Sequence, residues 1–331
     1  MKVILVIIDG AMVDDYKDCK SIHYMMRNGY YGLINHTPDG FPANSLTCIL
    51  NILGVNKKYI PSGRAYLEAL AIDEKIEEDD LIFRCNNIKI ENNKLVSSCN
   101  IKNLIPSNMP ADAKLVKMDS YKNLLITKHA RKFKDSIKTY APHENINQDI
   151  DKIMPKCSDT HMQELLNKLI NKYNLYPWGE AVIENIPSFE EIHNIKGAIV
   201  CKTEIVKGIG KAMKMYCPDI ENTTADIDTD LIAKGKAALE LNKNFDFVML
   251  HINGSDESAH RKNQSEKIDF IKKIDSELLQ YLINNLKDDT SLIVTSDHGT
   301  SSKTGKHSND PVGYYILNKN NQCDLWLKRN Q

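Results

Sequence analysis

The sequence predicts an α/β protein with a mostly parallel sheet, helices on both faces and a smaller inserted domain. Val3–Ile8 is a continuous apolar run, which is typical of a buried parallel strand, and the mainly apolar segments Phe245–Ile252 and Ser291–Thr295 are also predicted to be strands. Helical patterns separate them, such as the amphipathic stretch Leu231–Leu241 and the long stretch Ser265–Leu286. Strands that alternate with helices indicate a parallel sheet covered on both faces.

The middle of the chain has a different character. Residues 59–193 are rich in Lys, Asn, Asp and Glu, and their apolar runs are short. We interpret this region as a second, α+β domain, and the α/β pattern resumes near Lys196. No long linker is visible, so the region is more consistent with an insertion than with an appended domain. The predicted domains are residues 1–61 with 195–331, the α/β core, and residues 62–194, the smaller inserted domain.

Composition excludes several classes of function. The chain has 331 residues, is 42% hydrophobic and has a formal net charge of -1, which disfavours broad attraction to nucleic acid or membranes. The apolar N-terminal run is too short to span a membrane and ends in an acid, so we interpret it as a strand. Eight cysteines without a CxxC pair predict reduced thiols in a cytoplasmic protein. The oligomeric state stays open.

The segment Ser291–Val312 has the residues of a metal site. Its apolar run stops at Asp297-His298, and His307 follows nine residues later on a polar loop. Ligands gather at the carboxyl ends of strands in open α/β sheets. The alternative is a solvated loop with two chance histidines, so the prediction needs partners elsewhere in the chain.

Two further strand ends carry suitable groups. Asp9 follows the first strand, and Asp256 and His260, four residues apart, follow the strand that ends near Ile252. At that spacing the latter pair would lie on one face of a helix. Each match alone also fits a turn former or a surface pair. Asp and His together, without Cys, suit a divalent ion such as Mn²⁺, Zn²⁺, Co²⁺ or Mg²⁺.

A serine at a predicted helix start adds a nucleophile. Asn44-Ser45 follows a Pro/Gly loop and precedes the apolar run Leu46–Leu53. Free backbone N–H groups and the helix dipole favour anions at that position, including a phosphoryl group. The alternative is an ordinary helix cap at Asn44 or Ser45. With Ser45, the candidate groups are numerous enough for two ions, as is typical of phosphoryl-transfer sites.

These motifs carry a resemblance to a known family. VIIDG, GFPANS with LNILG, SGRAYLEA, DLIFRCN, HINGSDESAH and TSDHGTSSKTGKHSNDPV occur in this order. Together they resemble the cofactor-independent (2,3-bisphosphoglycerate-independent) phosphoglycerate mutases of archaeal type, in the alkaline phosphatase superfamily. The likeness covers most of the chain. It implies that residues 1–61 and 195–331 form an alkaline phosphatase-like, metal-binding catalytic core and that residues 62–194 form a lid that binds substrate. It also implies an isomerase of glycolysis that needs no 2,3-bisphosphoglycerate and acts on a small phosphorylated substrate.

The resemblance also implies roles for residues. Ser45 would be the nucleophile that forms a phosphoserine intermediate. One ion would be held by Asp9, Ser45, Asp297 and His298, and the other by Asp256, His260 and His307. The residues expected to bind the substrate are Arg64, Arg84, Asn86, His143 and Lys207.

Several positions depart from the family pattern. Leu46 stands where an acid usually follows the nucleophile, and Ile49 stands where Asn or His is usual. Lys122-Asn123 replaces Arg-His, and Glu144 replaces an Asp after His143. The predicted metal positions all match, so the substrate is less determined than the chemistry. The alternatives are a two-metal phosphohydrolase or phosphotransferase acting on another phosphate ester, and a non-catalytic metal-binding relative.

Overall fold

The computed structural model describes residues 2–98, 106, 109–118 and 122–318, which form two compact units. The first unit comprises Met1–Ile60 and Ile186–Gln331, and the second comprises Pro61–Asn185. The second unit therefore interrupts the sequence of the first.

The strands and helices are numbered in chain order. The strands are β1 (Lys2–Ile8), β2 (Tyr30–Ile34), β3 (Leu81–Asn87), β4 (Lys89–Glu91), β5 (Lys94–Ser97), β6 (Ala113–Lys117), β7 (Lys122–Thr127), β8 (Leu175–Ala181), β9 (Gly197–Val200), β10 (Phe247–Ile252), β11 (Thr290–Thr295), β12 (Gly299–Ser301), β13 (Lys306–Ser308) and β14 (Val312–Asn318). The α-helices are α1 (Lys20–Asn28), α2 (Ser45–Ile52), α3 (Ala65–Ala71), α4 (Ile150–Ile153), α5 (Thr160–Tyr173), α6 (Phe189–His193), α7 (Glu204–Ala212), α8 (Leu231–Leu241), α9 (Gly254–His260), α10 (Gln264–Lys273) and α11 (Gln280–Asn285).

The first unit is built on a six-stranded sheet with the order β2-β14-β11-β1-β10-β9. Strands β11, β1, β10 and β9 are parallel. At one side of the sheet β14 pairs antiparallel with β11, and the edge strand β2 pairs antiparallel with β14. This architecture confirms the predicted α/β class with a mostly parallel sheet. The antiparallel strand β14, which lies between β2 and β11, was not predicted, because its polar flank obscures the apolar run.

The register of the central strands brings their carboxyl ends together. Ile8 of β1 pairs with Ile252 of β10, and Ile7 pairs with Thr295 of β11. Ile4, Val6 and Ile8 belong to a buried core that includes residues of α1, α8 and α10. Side chains alternate along a strand, so Asp9 projects to the face opposite Ile8. The residues that follow the three strands therefore meet at one edge of the sheet.

The second unit has its own antiparallel sheet. Its strand order is β6-β7-β3-β8, and β4 and β5 form a separate hairpin. Helix α5 contributes buried residues, including Leu165, Leu166 and Leu169, to a core with Leu81, Phe83 and other residues of this sheet. The cysteines in the described part of the chain are free thiols, and its helices are all too short or too polar to cross a membrane.

The predicted helix 265–286 is interrupted. A π-helical turn at Ile274–Leu279 separates α10 from α11. Within this turn, the buried Asp275 accepts hydrogen bonds from the backbone N–H groups of Ser21 and Ile22, each at 3.0 Å. These N–H groups belong to the first turn of α1, whose own N-cap side chain makes no capping bond. Asp275 thus caps a second helix, which is a relation that periodicity alone does not reveal.

We expect Asp275→Ala to lower the free energy of unfolding by about 2 kcal/mol, because it leaves two buried N–H groups without acceptors. Urea denaturation measures this change. The control is Glu277→Ala in the same turn, whose side chain is exposed and whose effect should stay within about 0.5 kcal/mol. Equal effects of the two substitutions would contradict the capping role.

Candidate metal centre

Buried acids from three segments converge at the carboxyl edge of the main sheet. Asp9 follows β1, Asp297 follows β11, and Asp256 lies in α9 directly beyond β10. Asp9 and Asp297 are each 1% exposed and Asp256 is 7% exposed. Burying unpaired carboxylates is costly, so this arrangement requires nearby positive charge or protons.

The first group of candidate ligands surrounds the start of α2. Asn44 is the N-cap, and its side chain accepts a hydrogen bond from the Thr47 N–H. The Ser45 hydroxyl is therefore not needed for capping. Ser45 Oγ lies 3.4 Å from Asp9 Oδ2 and 3.5 Å from His298 Nε2. His298 Nε2 lies 3.6 Å from Asp9 Oδ1 and 3.5 Å from Asp297 Oδ2.

The second group is formed by Asp256, His260 and His307. His260 Nε2 lies 3.1 Å from Asp256 Oδ2 and 3.1 Å from His307 Nε2. His307 Nε2 lies 3.9 Å from the other carboxylate oxygen of Asp256. One donor atom of each residue lies within 4.8 Å of the others. The structure thus brings the seven residues that the sequence predicts as metal ligands together at one edge of the sheet. Asp9, Asp256 and His298 form a further candidate group, which connects the two sets.

Hydrogen bonds to the opposite ring nitrogens orient these imidazoles. His260 Nδ1 lies 2.9 Å from the Gly305 carbonyl oxygen, and His307 Nδ1 lies 2.8 Å from that of Ala43. Each Nδ1–H donates to its carbonyl, which leaves Nε2 with a free lone pair for a cation. This is the usual outer-shell arrangement of metal-binding histidines.

Thr300 links the two groups and was not singled out from the sequence. Its hydroxyl donates to Asp256 Oδ1 at 2.5 Å, and its oxygen lies 3.3 Å from His298 Nδ1. His298 can therefore donate Nδ1–H to Thr300 and present Nε2 to the first group. Thr300 lies on β12, two residues after His298. Its contacts with Asp256 and His298 follow from the course of this short strand and could not be read from the sequence.

The electrostatics of the site reflect crowded acids. Burial, with the nearby Asp297 and Asp256, raises the pKa of Asp9 well above its ordinary value. Burial also opposes charge on Asp256, but hydrogen bonding to His260 and the other imidazoles lower its pKa. The bond to Asp256 in turn raises the pKa of His260 to about 9, whereas burial lowers that of His307. The first group therefore holds excess negative potential.

The unpaired atoms of the site fit a cation. Among the described residues, Asp9 Oδ1 and both carboxylate oxygens of Asp297 are buried without a hydrogen-bond partner. Carboxylate and imidazole donors suit divalent ions of hard to intermediate character. A divalent cation would satisfy these oxygens and neutralise their charge.

His251 also enters the site, although sequence reasoning missed it. It lies on β10 in register with Ile7, is 1% exposed, and places Nε2 3.1 Å from Asp9 Oδ2. Burial lowers its pKa to about 4, so the imidazole is neutral. The sequence does contain a signal for it, namely a histidine inside the otherwise apolar strand β10, shortly before the candidate ligands of α9.

Two of the predicted substrate residues lie around Trp178 in the second unit. The guanidinium of Arg84 stacks over the Trp178 ring at 4.3 Å, and its Nε lies 2.8 Å from Glu68 Oε2. Asn86 is buried, accepts a hydrogen bond from Trp178 Nε1 and donates one to the Ser98 carbonyl. Both side chains therefore have partners that hold this sheet together. Neither Glu68 nor Trp178 was predicted from the sequence as a site residue.

The remaining predicted substrate residues are more exposed. Arg64 Nε lies 2.7 Å from the other oxygen of Glu68, and the His143 ring packs edge-on against Trp178. Burial alone would raise the pKa of Glu68, but Arg84 and Arg64 outweigh it and lower that pKa. Lys207, in the first unit, lies 2.7 Å from Asp219.

Fold and site together define a metal-binding α/β protein with a serine at the start of a helix beside the ligands. The chain belongs to the Metalloenzyme superfamily, which it matches over residues 1–329. Divalent-metal binding is thus supported by both the family and the ligand groups.

Individual relatives have more specific names than the superfamily. The chain is 28% identical to 2,3-bisphosphoglycerate-independent phosphoglycerate mutase 1 of Methanocaldococcus jannaschii, over 90% of this chain and 81% of the relative. It is also 28% identical to the mutase of Methanococcus aeolicus, over 98% and 90%. The resemblance inferred from the motifs is confirmed.

Two solved structures share the fold. A Pyrococcus horikoshii protein superposes with a TM-score of 0.73 and 22% identity, over 96% of this chain and 87% of that one. A cofactor-independent phosphoglycerate mutase of Thermoplasma acidophilum superposes with a TM-score of 0.59 and 20% identity, over 97% and 92%. At these identities the likeness supports the fold alone.

We expect Asp9→Asn to stabilise the metal-free protein by on the order of 1 kcal/mol, as substitutions at strained functional sites often do. Folding raises the pKa of Asp9, so ionised Asp9 opposes folding at neutral pH, and the amide removes that cost. The same variant should lose most of the stabilisation that added Mn²⁺ or Zn²⁺ gives the unaltered protein.

Urea denaturation at pH 7, with chelator and with added metal, measures both effects. Asp14→Asn serves as the control, because Asp14 is highly exposed and should change neither quantity. A destabilised metal-free Asp9→Asn protein, or one that keeps its full response to metal, would contradict the charge-crowding account.

Proposed function

We propose that this protein is a metal-dependent phosphoglycerate mutase that interconverts 3-phosphoglycerate and 2-phosphoglycerate through a phosphoserine at Ser45. The observation that carries the proposal is the Ser45 hydroxyl, free of capping and beside Asp9 and His298 at the start of α2. Support comes also from the archaeal relatives that bear this name over most of the chain.

The residues divide into two cation-binding groups in this proposal. Asp9, Ser45, Asp297 and His298 would hold one divalent ion, and Asp256, His260 and His307 would hold the other. Such ions lower the pKa of a bound hydroxyl and neutralise charge on a phosphoryl group. Mn²⁺, Zn²⁺, Co²⁺ and Mg²⁺ all suit these ligands, and no 2,3-bisphosphoglycerate is required.

Ser45 carries the phosphoryl group between two hydroxyls. Its Oγ loses a proton and attacks phosphorus, the new Oγ–P bond forms, and the bond from phosphorus to the substrate oxygen breaks. The departing oxygen takes up a proton. In the return step, the other hydroxyl of the retained glycerate loses its proton and attacks phosphorus. Its O–P bond forms, the Oγ–P bond breaks and Ser45 Oγ takes up a proton. The N–H groups at the start of α2 would favour the phosphoryl charge throughout.

Cationic and polar side chains would bind the anionic substrate. We propose Lys207 in the first unit, and in the second unit Arg64, Arg84, Asn86 and His143. Arg84 and Asn86 are already held by Glu68 and Trp178, so they would offer rigid donors rather than mobile ones. A cytoplasmic location, inferred from the cysteine pattern, stays a prediction.

Acid-quenched enzyme incubated with 3-phosphoglycerate tests the proposal. We expect mass spectrometry to find phosphate on the Ser45 peptide, and an enolase-coupled assay to detect 2-phosphoglycerate without added 2,3-bisphosphoglycerate. Ser45→Ala should abolish the phosphopeptide and lower kcat by at least about 1,000-fold, as loss of a covalent nucleophile does.

Ser265→Ala is the matched control, because Ser265 also lies in the first turn of a helix but is exposed and outside the ligand groups. It should keep full activity. Phosphate release without 2-phosphoglycerate, across a panel of phosphate esters, would favour a phosphohydrolase or phosphotransferase instead. Metal binding without any phosphoserine would favour a non-catalytic relative. The apolar, buried Leu46 and Ile49 in α2 are the observations behind these rivals.

A further inference from the structure

We propose that His251 is an additional ligand of the cation bound by Asp9 and Asp297. The inference rests on the cation site of the proposed function and adds a residue to it. One ring nitrogen of His251, a carboxylate oxygen of Asp9 and one of Asp297 all lie within 4.8 Å of one another. These three residues are buried, and each is about 1% exposed.

The contact between His251 and Asp9 has the spacing of two ligands on one ion. Two atoms bound at about 2.1 Å to the same cation lie about 3.0–3.4 Å apart at octahedral or tetrahedral angles. His251 Nε2 and Asp9 Oδ2 are 3.1 Å apart, yet their orientation does not satisfy hydrogen-bond geometry. A positioning hydrogen bond to Asp9 would need that geometry, so the arrangement favours a common cation.

The ring nitrogens of His251 also make no hydrogen bond to a described residue that would explain the position of this imidazole. In the described part of the chain, neither Nδ1 nor Nε2 of His251 has a hydrogen-bond partner. Buried polar groups are almost always paired, and an unpaired imidazole inside a central strand requires an explanation. A cation at Nε2 provides one.

The register of the sheet makes the approach possible. His251 pairs with Ile7 of β1, and Thr295 of β11 pairs with Ile7 from the other side. Asp9 and Asp297 each lie two residues beyond a member of this row, so they project to the same face as His251. The strand therefore delivers His251 beneath the two carboxylates without any loop rearrangement.

Cobalt titration tests the inference with the full-length protein. Metal-free protein is titrated with Co²⁺, and the visible absorption gives the number of ions and their affinities. We expect two equivalents for the unaltered protein. His251→Gln should weaken one of them by at least about 100-fold, because even outer-shell substitutions cost 10–100-fold in affinity.

His36→Gln is the matched control. His36 is another imidazole of low pKa, near Thr295, but it belongs to none of the candidate ligand groups. Its substitution should leave both affinities unchanged. A folded His251→Gln protein with both affinities unchanged would overturn the inference alone, whereas an unaltered protein that binds no Co²⁺ would overturn the proposed cation site as well.

A second measurement needs no substitution at this buried position. In the Co²⁺-loaded protein, coordinated histidines give ring-proton NMR signals shifted by the paramagnetic ion. We expect signals from four histidines: His251, His260, His298 and His307. Signals from only three would exclude His251 from the coordination sphere.

Discussion

Mutual repulsion among three buried carboxylates is the constraint on which this structure depends. Parallel pairing of β11, β1 and β10 brings Asp9, Asp256 and Asp297 to one edge of the sheet, where little water reaches them. The folded chain alone leaves several of their oxygens unpaired. Such a cluster is unfavourable by itself and becomes favourable once positive charge is bound, so the same feature that costs stability supplies metal affinity.

The surrounding polar groups prepare the site for that charge. The backbone carbonyls of Gly305 and Ala43 accept hydrogen bonds from the Nδ1–H groups of His260 and His307, and Thr300 joins His298 to Asp256. Because Asn44 caps α2, the Ser45 hydroxyl remains available at the first helical position. The Ser45 hydroxyl and the candidate ligand groups are thus held by regular structure, which positions them in advance.

Much of the fold and of the candidate site could be predicted, because an apolar run that ends in Asp or His is visible in the sequence. The apolar runs predicted β1, β10 and β11, and the residues at their ends were predicted as candidate ligands. Periodicity does not reveal relations that depend on register or on a loop path. In the sequence alone, His251 resembles a core residue of a strand, and only its pairing with Ile7 places it near Asp9. The contacts of Thr300 depend on the turn that leads into β12. The π-helical turn around Asp275 and the buried Glu68 likewise acquire meaning only from partners distant in sequence.

Anomalous diffraction from crystals grown with Mn²⁺ tests the central claim most directly, because it locates the positive charge that the carboxylates require. The account predicts two peaks about 4 Å apart. One should lie among Asp9, Asp297 and His298, and the other among Asp256, His260 and His307. Well-ordered crystals with no peak at Asp9 and Asp297, or with Mn²⁺ bound only elsewhere, would contradict it.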